Sequence, residues 1–206
     1  CIRDSHYTYQ ETGKNLVHSN FLHSLLLDHS GNVWVGSEFA GVTLLSVLSE
    51  GSYRIYPEHE SINDYVNAIR TVVKMPDGGF WFGTRQGNVY AYDKNLEAAS
   101  CYKMPYNYIY AASCDGDGKL WLGTRTMGLC IDGRWYHKMA GDTLSLAHEN
   151  IFDIYRDDKN RMWIGTFGGG LNLAVSRKDR YVFRKFLTGS GRLQEVRMIT
   201  QDNKKR

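Results

Sequence analysis

The segment Lys119-Leu120-Trp121-Leu122-Gly123-Thr124 decides the fold, because three further segments superpose on it without gaps. They are Asn32-Val33-Trp34-Val35-Gly36-Ser37, Gly79-Phe80-Trp81-Phe82-Gly83-Thr84 and Arg161-Met162-Trp163-Ile164-Gly165-Thr166. Their tryptophans lie 47, 40 and 42 residues apart. A period of roughly 40–50 residues suits four short strands with their turns, the size of one propeller blade.

The register extends beyond the tryptophan. Twelve residues before it stands Leu22, Ile69, Ile109 or Ile151, and nine before it Leu25, Val72, Ala112 or Ile154. Six before stands Asp28, Met75, Asp115 or Asp157; fourteen before stands Asn20, Asn67, Asn107 or Glu149. Eight after, an apolar residue returns at Val42, Val89, Leu129 and Leu171. Agreement at so many offsets implies an all-β fold, a β-propeller of four-stranded blades. The blades are expected at about 20–57, 67–104, 107–139 and 149–187, within one partial propeller over 1–206.

In each blade the innermost strand is predicted at Leu22–Asp28, Ile69–Lys74, Ile109–Cys114 or Ile151–Arg156. A turn rich in Asp, Gly and Asn follows, as hairpins require. The second strand carries Trp-x-Gly with apolar residues on both faces, as expected of a strand between two sheets. The glycine two after Trp leaves room for a neighbouring sheet to approach. The outermost strand is expected at Tyr53–Tyr56, Ala98–Lys103, Arg134–Lys138 and Tyr181–Phe186. Partial blades are expected at 1–10 and 194–206, where Val196, Ile199 and Asp202 repeat the offsets of an innermost strand. The next Trp would fall due at 208, so the chain is expected to stop inside a fifth repeat.

Composition agrees with this reading: 13% aromatic residues, 21 Gly and only 3 Pro favour short twisted strands joined by tight turns. The net charge of +3 is small and the basic residues are scattered, without the stripe a nucleic-acid binder shows. The four cysteines, Cys1, Cys101, Cys114 and Cys130, have neither zinc nor redox spacing, and Cys114 and Cys130 are expected as buried free thiols. No cofactor, metal site or catalytic set is expected. No apolar run reaches the ~18 residues of a membrane span, and no secretory signal is present within a chain that begins at Cys1.

The repeat resembles the two-component regulator propeller repeat, Asn-x-Val-x-x-Ile-x-x-Asp-x-x-Gly-Asn-Leu-Trp-Ile-Gly-Thr followed by a Gly-rich turn. Asn20 to Ser37, Asn107 to Thr124 and Ile151 to Thr166 follow it with few changes, while the second copy departs at Met75. The resemblance implies a seven-bladed propeller in the periplasmic sensor of a hybrid two-component histidine kinase, anchored in the inner membrane. Such sensors occur mainly in Bacteroidetes that degrade polysaccharides, and the implied ligand is an oligosaccharide. Implied partners are the remaining blades of a parent chain and a second copy in a homodimer. Phosphorelay catalysis would lie outside these residues.

Loops carry function because the strands beneath hold them rigid. The turns after the second strand place Arg85 and Arg125 at one repeat position, four after Trp. Guanidinium forks there can bind a carboxylate, a sulfate or sugar hydroxyls. Surface arginines paired with a loop carboxylate are the alternative. Phe39 and Phe167 in the neighbouring turns, with Tyr65, Tyr106 and Tyr108 near the loops leading into the first strand, offer rings for stacking. His18 and His148 are expected to pack within their loops.

Asp115-Gly116-Asp117-Gly118 is expected to be a turn, since the bidentate Glu of a calcium loop is missing. No copy fits the Ser-x-Asp-x-Gly-x-x-Trp of a sialidase-like Asp-box. A protein-interaction scaffold, and more remotely a propeller lyase or glycosidase, are the rival readings. Alone, the segment is expected to self-associate through open blade faces unless further blades cover them.

Overall fold

The computed structural model describes residues 17, 19–46, 51–58, 65–105, 108–186, 194–202 and 204. The expected partial blade at 1–10, together with His18 and Tyr106, lies outside them. The chain forms two compact units, Cys1–Pro105 and Tyr106–Arg206, each built from two four-stranded antiparallel sheets.

In the first unit, β1 (Leu22–Leu27), β2 (Val33–Ser37), β3 (Val42–Ser46) and β4 (Gly51–Ile55) form one meander. A 3-10 turn, Tyr65–Asn67, leads into the second, β5 (Ile69–Lys74), β6 (Phe80–Thr84), β7 (Asn88–Tyr92) and β8 (Ala98–Lys103). The second unit holds β9 (Ile109–Cys114), β10 (Leu120–Thr124), β11 (Leu129–Ile131) and β12 (Arg134–Tyr136). Its other sheet is β13 (Ile151–Arg156), β14 (Met162–Thr166), β15 (Leu171–Arg177) and β16 (Arg180–Phe186). Strand order follows chain order in all four sheets. The fold is a β-propeller. No helix among the described residues is long and apolar enough to cross a membrane.

Several strand ends differ by one or two residues from expectation: β4 is Gly51–Ile55 rather than Tyr53–Tyr56, β16 starts at Arg180 rather than Tyr181, and β1 and β12 stop early, each for a local reason. β1 stops at Leu27 because Asp28 belongs to the turn: its Oδ1 accepts the N–H groups of Ser30 (2.8 Å) and Asn32 (3.0 Å). β12 ends at Tyr136, short of Lys138, whose N–H goes to Glu149 Oε1 at 2.8 Å.

The Asp-to-Trp spacing has a direct cause. Oδ2 of Asp28, Asp115 and Asp157 accepts the indole N–H of Trp34, Trp121 and Trp163, at 3.1, 3.0 and 2.9 Å. Oδ1 of Asp115 and Asp157 accepts the amides two and four residues on, as in Asp28. Each carboxylate therefore ties the first hairpin turn to the core tryptophan. Asp115-Gly116-Asp117-Gly118 is such a turn. In the second sheet Met75 stands at that position, and the carboxylate of Asp77 takes only the Gly79 N–H at 2.9 Å.

Cores sit between the sheets of each unit. Trp34 meets Phe80 at a centroid distance of 4.0 Å, over Val42, Ile69 and Phe82. Trp121 meets the Tyr181 ring edge-on at 4.8 Å, over Leu129, Ile151, Ile164 and Phe183. Burying one such large apolar side chain contributes about 1.5–3 kcal/mol. The glycine after Trp is what lets the sheets close. A methyl at Gly36 would lie 2.8 Å from Ile69 Cγ2, at Gly123 2.5 Å from Ile151 Cγ2, and at Gly165 2.6 Å from the Val196 carbonyl. Residues 194–202 form no strand, only a bridge from Glu195 to Phe167, but Val196 takes the place against Gly165 that Ile151 takes against Gly123.

On β1, Leu25 and Leu27 are 69% and 70% exposed, whereas Val72, the repeat counterpart of Leu25, is buried. Cys114 and Cys130 are buried free thiols.

Candidate functional site

One device recurs in all four sheets and positions the candidate side chains. The ladder between first and second strand skips one residue, always the second of the first strand: His23, Arg70, Tyr110 and Phe152. A bulge of this kind bends the strand and re-aims the extra side chain. The residue four after Trp is pinned beside it. Its N–H donates to the carbonyl just before the first strand: Glu38 to Phe21 (3.0 Å), Arg85 to Ala68 (2.8 Å), Arg125 to Tyr108 (3.1 Å) and Phe167 to Asn150 (3.0 Å). Ser37, Thr124 and Thr166 brace the same turns by donating a hydroxyl to Gly41, Gly128 and Gly170.

In the first unit these positions carry charge. Glu38, 8% exposed, receives Arg85 Nη1 at 2.7 Å, Arg70 Nη2 at 3.3 Å and His23 Nε2. Arg70 Nη1 also donates to His23 Nδ1 at 3.0 Å, which leaves Nε2–H as the donor to Glu38. Burial, reinforced by the Arg70 charge, lowers the His23 pKa despite Glu38, so the imidazole is neutral in this network. Arg85, expected as a ligand fork, is thus held by a carboxylate.

In the second unit the same positions carry three rings, Tyr110, Phe152 and Phe167, and one arginine, Arg125. Phe167 packs edge-on against Phe152 at 5.6 Å and His148 at 6.2 Å, and remains 43% exposed. Phe152 lies 6.1 Å from Tyr110, and the Arg197 guanidinium stands 5.3 Å over the Phe152 ring. Arg197 is oriented by Glu195 at 2.7 Å. The exposed Arg125 lies 5.7 Å over Tyr108, whose φ of 75° puts a bulky residue in the left-handed region. Such backbone strain is of order 1–3 kcal/mol and concentrates at functional sites. His148 packs in its loop, its Nδ1 accepting the Asn150 N–H at 3.0 Å.

Of the residues singled out from sequence, Phe39 is half-buried and Tyr65 opens the 3-10 turn. His23, Glu38, Arg70, Tyr110, Phe152 and Arg197 were not anticipated. Four of them share a legible offset, eleven before Trp, directly after the recurring Leu or Ile. Among the described residues, no three His, Cys, Asp or Glu side chains are grouped to hold a metal ion.

Comparison with known proteins gives partial matches. The sequence profile of the two-component regulator propeller matches residues 103–126 and 145–168. Two of the four repeats thus match the two-component regulator propeller. Both matched stretches run from the approach to the first strand through the turn after Trp-x-Gly, the part that holds the bulge and the pinned loop. The chain is 25% identical over 209 residues to histidine kinase P4 of Formosa agariphila, covering 93% of this chain and 15% of that protein. The extracellular domain of a hybrid two-component system from B. thetaiotaomicron superposes with a TM-score of 0.70 at 23% identity, covering 90% of this chain and 26% of that domain. Virginiamycin B lyase of Staphylococcus aureus shares the fold at 12% identity, TM-score 0.66, over 90% of this chain and 61% of its own. The chain thus spans about 15% of the length of the histidine kinase it matches.

Proposed function

We propose that this chain is part of the extracytoplasmic sensor of a hybrid two-component histidine kinase, and that its ligand is an oligosaccharide. The observation that carries the reading is the ring cluster of Phe152 and Phe167 at the bulge and pinned-loop positions, within repeats similar to those of a histidine kinase. An exposed ring edge offers the apolar C–H face of a sugar a partner. Arg197, fixed over Phe152, and Arg125 supply donors for hydroxyls. The role is recognition, and the phosphorelay chemistry belongs to other parts of the parent protein.

Signalling would follow from repacking of blades or of a homodimer in the periplasm. Further repeats of the same polypeptide would cover the exposed Leu25 and Leu27 of β1, as β2 and its neighbours cover Val72.

Neutral glycans are screened on an array and the hits titrated by calorimetry. Binding is expected, and Phe152→Ala is expected to weaken it by about tenfold, a loss of ~1.4 kcal/mol. A folded chain that binds no glycan overturns the reading.

A further inference from the structure

A second candidate lies away from the pinned loops, on the outermost strands of the second unit. Two adjoining clefts, of about 600 and 420 Å³, share Arg134 and Arg180 as common walls. The larger is lined by Arg134, Arg177, Lys178 and Arg180, with Asp179 as the one acidic residue. Among the described residues none of these four cations is in an ion pair. Arg134 instead donates to the backbone carbonyl of Asp179, which points its guanidinium across the turn between β15 and β16. Lys178 occupies that turn at φ 48°, where the corresponding turn of the neighbouring sheet uses Asp132-Gly133. A left-handed lysine is uncommon, and here it adds a third charge beside Arg177 and Arg180.

The smaller cleft runs from these cations between β12 and β16 along an aromatic floor. Trp135 and His137 alternate on one side of the chain, their rings 13° from parallel with centroids 6.2 Å apart. Parallel rings leading to clustered guanidinium groups suit a chain that is apolar on its ring faces and anionic in its substituents.

We infer that this rim groove binds an acidic oligosaccharide, with sugar rings along Trp135 and His137 and carboxylate or sulfate groups on Arg134, Arg177, Lys178 and Arg180. A peptide added as a strand would find three residues on β12, fewer than the roughly 5–6 of an ordinary strand, while on β16 the Tyr181 and Phe183 amides already donate to Tyr136 Oη and to the Leu144 carbonyl. The site is separate from the loop cluster and does not depend on it.

The test titrates the 206-residue chain with oligogalacturonate and with sulfated dextran oligosaccharides, following tryptophan fluorescence and calorimetry. Unsulfated dextran and polyglutamate serve as controls. Both acidic sugars are expected to bind, more weakly as salt rises, and neither control is expected to match them. The double variant Arg134→Gln/Arg180→Gln is expected to weaken binding by about tenfold or more, with an unchanged thermal melt. His137→Ala is expected to weaken the sugars without altering salt dependence. Lys94→Gln, in the turn between β7 and β8 of the first unit, controls for the loss of a single positive charge elsewhere and is expected to bind as the parent does. Equal binding of polyglutamate, or full binding by the double variant, overturns the proposal. A chain that binds neutral glycans but no acidic ones overturns this site alone; the reverse overturns the loop-face reading alone.

Discussion

At the same two repeat positions, the first unit places His23, Arg70, Glu38 and Arg85, whereas the second places three rings and one arginine, Arg125. His23, Arg70, Arg85 and Glu38 close into an ion network in the first. Tyr110, Phe152 and Phe167 form an aromatic cluster in the second. The frame beneath is common to both: a bulge at the second residue of the first strand, a pinned amide four after Trp, and a glycine under the neighbouring sheet. The difference teaches that backbone hydrogen bonds hold these loops, so side chains at the two positions can vary without loss of the blade. The charged set pairs within itself, whereas the aromatic set keeps Phe167 partly exposed.

Substitutions at equivalent positions probe this contrast most sharply. Glu38→Ala removes the carboxylate on which two guanidinium groups and an imidazole converge. It is expected to destabilise the first unit by about 2–4 kcal/mol, discounted for the partial exposure of the arginines. Urea unfolding measures it, and a change under 1 kcal/mol, the ~0–1 typical of surface pairs, would mean that the network contributes no more than those do.

The shared frame should respond alike in both units. Gly36→Ala presses on Ile69 and Gly123→Ala on Ile151, and each is expected to cost about 1–3 kcal/mol by overpacking. If only one is destabilising, the close approach is not a common device.

The Asp-to-Trp tie separates the sheets in acid. Burial raises the Asp157 carboxyl, but bonds from the Trp163 indole, the Arg161 backbone and guanidinium and the Lys159 amide outweigh it, holding the pKa at about 2. A depressed carboxylate stabilises above its ordinary value of 3.8 and loses that contribution as pH falls towards about 2. The loss is expected to be of order 1–2 kcal/mol. Asp157→Asn should flatten this part of the acid-unfolding curve, and the second sheet, with Met75, has no such tie to lose. An unchanged curve in the variant would break the assignment.

Smallest is Phe167→Ala, which stands at the repeat position of Glu38. Its ring is half in solvent, so the expected stability loss is about 1 kcal/mol, while glycan binding measured by calorimetry is expected to fall. Large destabilisation with intact binding would make the ring cluster core rather than site.

Much of this was legible in the residues. The Trp-x-Gly period located all four sheets, and the offsets of Asp28, Asp115 and Asp157 marked turns now seen to be tied to tryptophan. Asn67 and Glu149 share an offset and a structural role, since each side chain binds backbone of the preceding segment, at Glu58 and at Lys138. The site was only half legible. Arg85 and Arg125 were visible as equivalents, but pattern does not reveal that Glu38 faces one and the ring of Tyr108 the other. The bulge residues escaped because a period-two reading assigns each to a face, and a bulge breaks that alternation.

The amino-acid sequence by itself determined the repeat, the strands, the turns and which glycine admits a neighbour, because these follow from local spacing and steric size. Only the tertiary structure decided which side chains meet across adjacent sheets. Contacts such as Arg85 with Glu38, 47 residues apart, or Arg134 with the Asp179 carbonyl, 45 apart, depend on how one sheet is laid upon the next. No local preference encodes that geometry.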